Sequence, residues 1–205
     1  MIFYHLMHKL KNYSTKIIVP HPLLIRFQRA KCISVDFDGV LISPYSWSYW
    51  FFSGPNILLP ESKFFKHVER AFTSITSGFG RPPMEGCFQK LTELKDKGAF
   101  LYLLTSRRRY IEKMTLSWLD RHGMGNYFDK SIFNYNSLTP IDHKVLSLRS
   151  NSQIQVHVDD SLKTILVLSK EFPDRLFVWI TAGYSNKKKN LGIRNVLEVN
   201  SWLEL

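Results

Sequence analysis

The chain has 205 residues, 44% of them apolar and 22% charged, a globular composition that excludes general disorder, collagen and coiled coil. Lys and Arg number 28 against 17 Asp and Glu, a formal charge of +11 that favours anionic partners. No apolar run reaches the roughly 18–20 residues of a membrane span. The two cysteines, Cys32 and Cys87, build neither a disulfide framework nor a zinc pattern, which fits a reducing intracellular compartment.

The charge is uneven along the chain. No acidic residue precedes Asp36, against six basic ones: Lys9, Lys11, Lys16, Arg26, Arg29 and Lys31. Residues 1–30 therefore read as a basic N-terminal arm. Three uses are open for it: an organelle-targeting segment, an arm lying on a polyanion or a membrane surface, or a first element packed on the domain. Lys9, Lys11 and Lys16 interrupt the apolar stretch and speak against a secretory signal. The default location is the cytoplasm. Within the arm, Ile2–Leu10 suits a short helix and Ile17–Val19 a strand stopped by Pro20 and Pro22.

Cys32–Val35 is a short apolar run that breaks at Asp36-Phe37-Asp38-Gly39, the pattern of a buried strand entering a tight turn. Ser43–Pro60 is aromatic and interrupted by prolines, Glu61–Ile75 looks helical, and Gly78–Pro83 is a linker. After that the pattern alternates. Helices are expected at Glu85–Lys97, Arg108–His122, Asp142–Leu148 and Leu162–Lys170. Strands are expected at Ala99–Leu104, Ser131–Phe133, Ile154–Val158 and Leu176–Ile180. The tail from Val196 has no clear pattern. Strands separated by helices imply right-handed crossovers and a parallel sheet covered on both faces. The fold class is thus α/β, a Rossmann-like three-layer sandwich. Its core spans 31–42 and 87–205, and a small cap or elaborated loop is inserted at 43–86.

Ligands of such sheets bind beyond the carboxyl ends of the strands. Polar residues of useful type stand at three of those ends: Asp36, Thr105 and Asp159. Asp36 and Asp38, two residues apart, can take different roles. A carboxylate is a competent nucleophile toward phosphorus, and a second one can serve as general acid and then base. Gly39 lets the backbone turn sharply beside the ligand. Thr105 and Ser106 offer hydroxyls to a phosphate oxygen, and Thr105 also suits a helix N-cap. Arg107 can reach a second phosphate or a polynucleotide backbone, with Arg108 and Arg109 on the outer face of a first helical turn. Asp159-Asp160 at the end of a buried strand needs a compensating cation, and a hard metal such as Mg²⁺ suits it. Lys144 is the lysine chosen to neutralise the transferring group, with Lys130 and Lys163 as rivals. His157 reads as packing or as a support behind the acidic strand end.

In this order, the pieces resemble the haloacid dehalogenase superfamily of phosphohydrolases, over about residues 31–182. The resemblance implies Asp36 as nucleophile, Asp38 as general acid/base, Thr105 as the second-motif hydroxyl, Lys144 as the third-motif lysine and Asp159-Asp160 as the acidic fourth motif. It also implies a Mg²⁺ ion held by the Asp36 side chain, the Asp38 carbonyl and Asp160 directly, with Asp159 beside it. The spacing from Lys144 to Asp160 is short for that pattern. Leu104-Thr105-Ser106-Arg107 with Asp159-Asp160 is further similar to nucleotidases and to the phosphatases of nucleic-acid end repair. A phosphorylated substrate, nucleotide or nucleic-acid end, is therefore expected. The aromatic run Tyr45–Phe52 suits either stacking on bases or packing within the cap. The competing reading is a non-catalytic binding or scaffold protein on the same fold.

Overall fold

The computed structural model describes residues 21–43, 81–181 and 191–205. The expected elements at Ile2–Leu10, Ile17–Val19 and Glu61–Ile75, the aromatic run Tyr45–Phe52 and the body of the cap lie outside the described residues.

Six strands form one parallel sheet in the order β3-β2-β1-β4-β5-β6. They are β1 (Cys32–Val35), β2 (Phe100–Arg108), β3 (Lys130–Asn134), β4 (Val156–Asp159), β5 (Leu176–Ile180) and β6 (Val196–Val199). Their helices are α1 (Pro22–Arg29), α2 (Cys87–Asp96), α3 (Glu112–Arg121), α4 (Pro140–Ser150) and α5 (Leu162–Glu171). The chain adds β2 and β3 on one side of β1, then crosses to add β4, β5 and β6 on the other. That reversal opens a crevice above the carboxyl end of β1, which is where Asp36 stands.

Two apolar layers hold the helices on the sheet. On one face Phe27, Leu91, Leu94 and Trp118 pack with Ile33, Val35, Leu101, Leu103, Val156 and Val158. On the other, Leu148, Ile165 and Leu168 pack with Tyr102, Leu104, Phe177 and Trp179. The α/β three-layer expectation holds, and the central strands are buried on both faces as parallel strands must be.

Three elements differ from the sequence reading. Pro22 does not merely stop a strand. It opens α1, whose cap is His21, because a proline at the first helical position loses no hydrogen bond. α1 belongs to the core: Phe27 is fully buried, Gln28 Nε2 donates to the Leu205 carbonyl at 3.1 Å, and Arg26 donates to the Asp174 carbonyl. Residues 22–29 of the expected arm are therefore a packed helix, and a truncation that probes the arm has to end before Pro22. β2 is longer than expected and runs through Arg108. A single 3₁₀ turn, Arg109–Ile111, precedes α3. Thr105 is thus a strand residue and not a helix N-cap, and Arg108 lies on a strand and not on a helical turn. The tail forms β6 and a 3₁₀ turn, Trp202–Glu204.

The insertion expected at 43–86 leaves and returns at one point. Ser43 N–H donates to the Pro82 carbonyl at 3.0 Å, Met84 N–H to the Leu41 carbonyl at 2.8 Å, and Arg81 Nε to the Ser43 carbonyl at 2.8 Å. Trp202 ties the tail to the turn after β1, because its buried indole N–H donates to the Val40 carbonyl at 2.7 Å. Trp202→Ala removes a fully buried ring and leaves that carbonyl unpaired; urea unfolding is expected to show a loss of about 3–5 kcal/mol.

Candidate active site

Asp36 continues β1 by one residue, its N–H donating to the Val158 carbonyl of β4 at 2.9 Å. Asp36 is buried, and its side chain meets Lys144 of α4, whose Nζ donates to Asp36 Oδ2 at 2.9 Å and to Asp159 Oδ2 at 2.6 Å. α4 is aimed by its start. Thr139 caps the helix and accepts from Asp142 N–H at 3.2 Å, its hydroxyl donates to Asp142 Oδ2 at 2.6 Å, and Pro140 follows at the first position. This Thr-Pro-x-Asp start was legible in the sequence and places the helix two residues earlier than apolar spacing does. Of the rival lysines, Lys130 donates to Asn151 Oδ1 at 3.0 Å and Lys163 is exposed on α5.

Asp159, wholly buried at the end of β4, has both oxygens engaged. Oδ2 accepts from Lys144 and from His157 Nε2 at 3.1 Å, and Oδ1 accepts from Ser161 N–H at 2.9 Å. Burial holds His157 below its ordinary range and so neutral. Its Nε2–H then donates to Asp159 while Nδ1 accepts from Ser34 Oγ at 2.9 Å. His157 is thus the support behind the acidic strand end.

One ammonium stands between two buried carboxylates, and they respond in opposite directions. Burial disfavours both anions. At Asp159 the Lys144 charge and the His157 hydrogen bond outweigh it, and the carboxyl falls well below its usual range. At Asp36 burial, aided by the Asp159 charge, outweighs Lys144 and pushes the carboxyl up to about 7. Lys144 itself is raised, because the pull of Asp159 and Asp36 exceeds the cost of burial.

Asp36, Asp159 and Asp160 each bring a carboxylate oxygen within 4.8 Å of the others, the one such group of three acids among the described residues. Three carboxylates carry more negative charge than one ammonium neutralises, and hard oxygen donors of this kind fit Mg²⁺. Asp160 differs from Asp159 in being partly exposed, so it is the acid with access to an ion. The turn residue Gly39 makes room for it: a Cβ there would lie 2.0 Å from Asp160 Oδ2, and its φ of +72° also favours glycine. Gly39 N–H donates to the Ile42 carbonyl at 3.1 Å.

Asp38 lies on the opposite side of the turn. Arg107 Nε and Nη2 donate to its Oδ2 and Oδ1 at 2.7 and 2.8 Å, and Arg81 Nη1 lies 3.6 Å from Oδ1. Burial works against the anion, but Arg107 outweighs it and holds the carboxyl below its ordinary range. The register between β2 and β3 breaks between Leu104 and Arg108, an irregularity that re-aims Thr105, Ser106 and Arg107. Thr105 is buried, and its Oγ1 accepts from Arg107 N–H at 3.2 Å. Ser106 Oγ is buried with no hydrogen-bond partner. Arg81, absent from the sequence reading, came to Asp38 from far along the chain and carried no local signal. A cavity of about 750 Å³ lies elsewhere, between α1 and β6.

No protein-family model matches the chain. No curated protein does either. Solved structures do. A haloacid dehalogenase-like hydrolase from Streptococcus pneumoniae is 16% identical, with a TM-score of 0.59 over 85% of this chain and 96% of that one. CbbY from Rhodobacter sphaeroides, solved in complex with phosphate, is 14% identical, with a TM-score of 0.62 over 86% and 96%. The chain has the haloacid dehalogenase fold. A third structure of this fold, a phosphatase from Thermococcus onnurineus, is 17% identical, with a TM-score of 0.57 over 85% and 95%. This is the fold that the four short motifs resembled.

Two measurements test this geometry. Gly39→Ala should displace Asp160 and weaken Mg²⁺ binding by about 10–100-fold in calorimetry, with the fold retained by circular dichroism. Because an ion at Asp36 requires the anion, and burial raises that carboxyl to about 7, its proton must leave first. Apparent Mg²⁺ affinity should climb about tenfold per pH unit up to about 7 and level off above it, read from Trp179, whose indole N–H bonds the Asp160 carbonyl. An affinity flat from pH 5.5 to about 8 would remove Asp36 from the ligand set.

Proposed function

We propose that the chain is a Mg²⁺-dependent phosphomonoester hydrolase working through an aspartyl-phosphate on Asp36. The observation that carries this reading is the meeting of Asp36, Lys144, Asp159 and Asp160 at the crevice where the strand order reverses. A non-catalytic scaffold has no need of a buried lysine wedged between two carboxylates.

Lys144 holds Asp36 Oδ2, so Oδ1 is the attacking atom. It bonds to phosphorus as the bond to the leaving oxygen breaks, and Asp38, an anion at rest, relays to that oxygen a proton brought in by the monoanionic phosphomonoester. Asp38, again anionic, removes a proton from water. The hydroxide attacks phosphorus, the acyl-phosphate bond breaks, and Asp36 is restored with release of orthophosphate. In this reading Lys144, Thr105 and Ser106 bind the equatorial oxygens. Asp36, Asp160 and the Asp38 carbonyl would hold Mg²⁺, with Asp159 fixing Lys144, and the bound ion would neutralise charge on the transferring group.

For the substrate, the reading is a nucleotide or a nucleic-acid end. Its support is the excess of basic residues and an exposed ring at the carboxyl edge of the sheet. Tyr135, just past β3, is 55% exposed, with the Arg109 guanidinium 5.8 Å from its centroid. Such a pair offers a base a stacking surface. Among the described residues no helix is long and apolar enough to cross a membrane.

Phosphate release from 4-nitrophenyl phosphate tests the activity. Wild type with Mg²⁺ should turn over, while Asp36→Asn and excess EDTA should each cost at least about a thousandfold. Activity that survives Asp36→Asn would reject the aspartyl-phosphate route.

A further inference from the structure

Each of the three guanidinium nitrogens of Arg107 donates a hydrogen bond inside the protein. Two of its nitrogens grip both oxygens of Asp38, at 2.7 and 2.8 Å. The third, Nη1, donates to Thr115 Oγ1 of α3 at 3.0 Å, and that hydroxyl in turn donates to the Ile111 carbonyl at 3.1 Å. The guanidinium carbon stacks 4.3 Å from the centre of the Phe37 ring, and Phe37 meets Trp118 edge-on at 5.2 Å. Arg107 is 9% exposed, while the Asp38 side chain it holds is 47% exposed. The arginine is the fixed member of the pair and the carboxylate is the one that faces the crevice.

We propose that Arg107 is a positioning residue: anchored by Thr115 and Phe37, it sets where the Asp38 carboxylate stands relative to the leaving oxygen, and it does not bind the substrate. A carboxylate on a turn can adopt several rotamers. A planar fork with both prongs occupied selects one of them, which a lysine cannot do. Proton transfer needs the donor within about 2.6–3.2 Å of its target, so a small misplacement is costly. The cost depends on the ester. An alkoxide has to be protonated as it leaves, whereas 4-nitrophenolate departs as the anion.

This inference rests on the phosphohydrolase reading, and the test separates the two. Steady-state kinetics on ethyl phosphate and 4-nitrophenyl phosphate are compared for wild type, Arg107→Lys and Thr115→Val. Arg107→Lys should lower kcat for ethyl phosphate by about 10²-fold or more and for 4-nitrophenyl phosphate by about tenfold or less, with KM within about threefold. Thr115→Val, an isosteric change at a residue out of the substrate's reach, should shift the ratio of the two esters in the same direction by about 3–10-fold. A KM that rises while kcat is kept would make Arg107 a substrate-binding residue and overturn the proposal. Equal losses on both esters, or an ester ratio moved toward ethyl phosphate, would also overturn it. A wild type inactive on both esters, indistinguishable from Asp36→Asn, would instead overturn the phosphohydrolase reading and this inference with it.

Discussion

The ammonium of Lys144, lodged between Asp36 and Asp159, is the interaction on which the site depends. Two carboxylates cannot stay ionised side by side in a buried crevice without a cation. The three residues come from β1, α4 and β4, so the pair of salt bridges also fastens one helix to two adjacent strands. The asymmetry matters chemically. Asp159 takes the lysine, the His157 ring and the Ser161 N–H, and becomes a fixed anion. Asp36 is left with a proton affinity near neutrality, so further positive charge beside it favours its anion. A divalent ion, added to Lys144, supplies that charge.

Around this centre the two acids of the first motif are kept apart by their partners. Asp36 looks toward Lys144 and the fourth strand, while Asp38 looks toward Arg107 on the second. The turn between β1 and the insertion makes this possible, since Phe37 is buried under the guanidinium and Gly39 admits Asp160. The same turn is braced by Trp202 from the tail and by Arg81 from the return of the insertion. Elements remote in sequence thus support one short segment.

Much of this was legible in the residues. Apolar runs ending in Asp36, Thr105 and Asp159 mark the strands and their polar ends, because buried parallel strands carry unbroken apolar runs and polar residues gather where they stop. The helix carrying Lys144 was recognisable, although apolar spacing alone started it too late and its Thr139-Pro140 cap was passed over. Pro22 reads as a stop along the sequence and is a start in the fold, since proline fits both uses. Apolar spacing ends β2 at Leu104 because Thr105 also suits the N-cap of a following helix, whereas an irregular register lets a strand carry Thr105, Ser106 and Arg107.

The sequence by itself determined the α/β class, the position of the acids at strand ends and the types of residue available for phosphoryl chemistry. These follow from local periodicity and from the need to bury apolar faces. Only the tertiary structure decided the pairings. That Arg107 is committed to Asp38, that Gly39 makes way for Asp160, that His157 stands behind Asp159 and that Arg81 reaches the first motif all depend on contacts between distant segments. Distances of that kind are set by how the layers pack, and no local pattern along the chain encodes them.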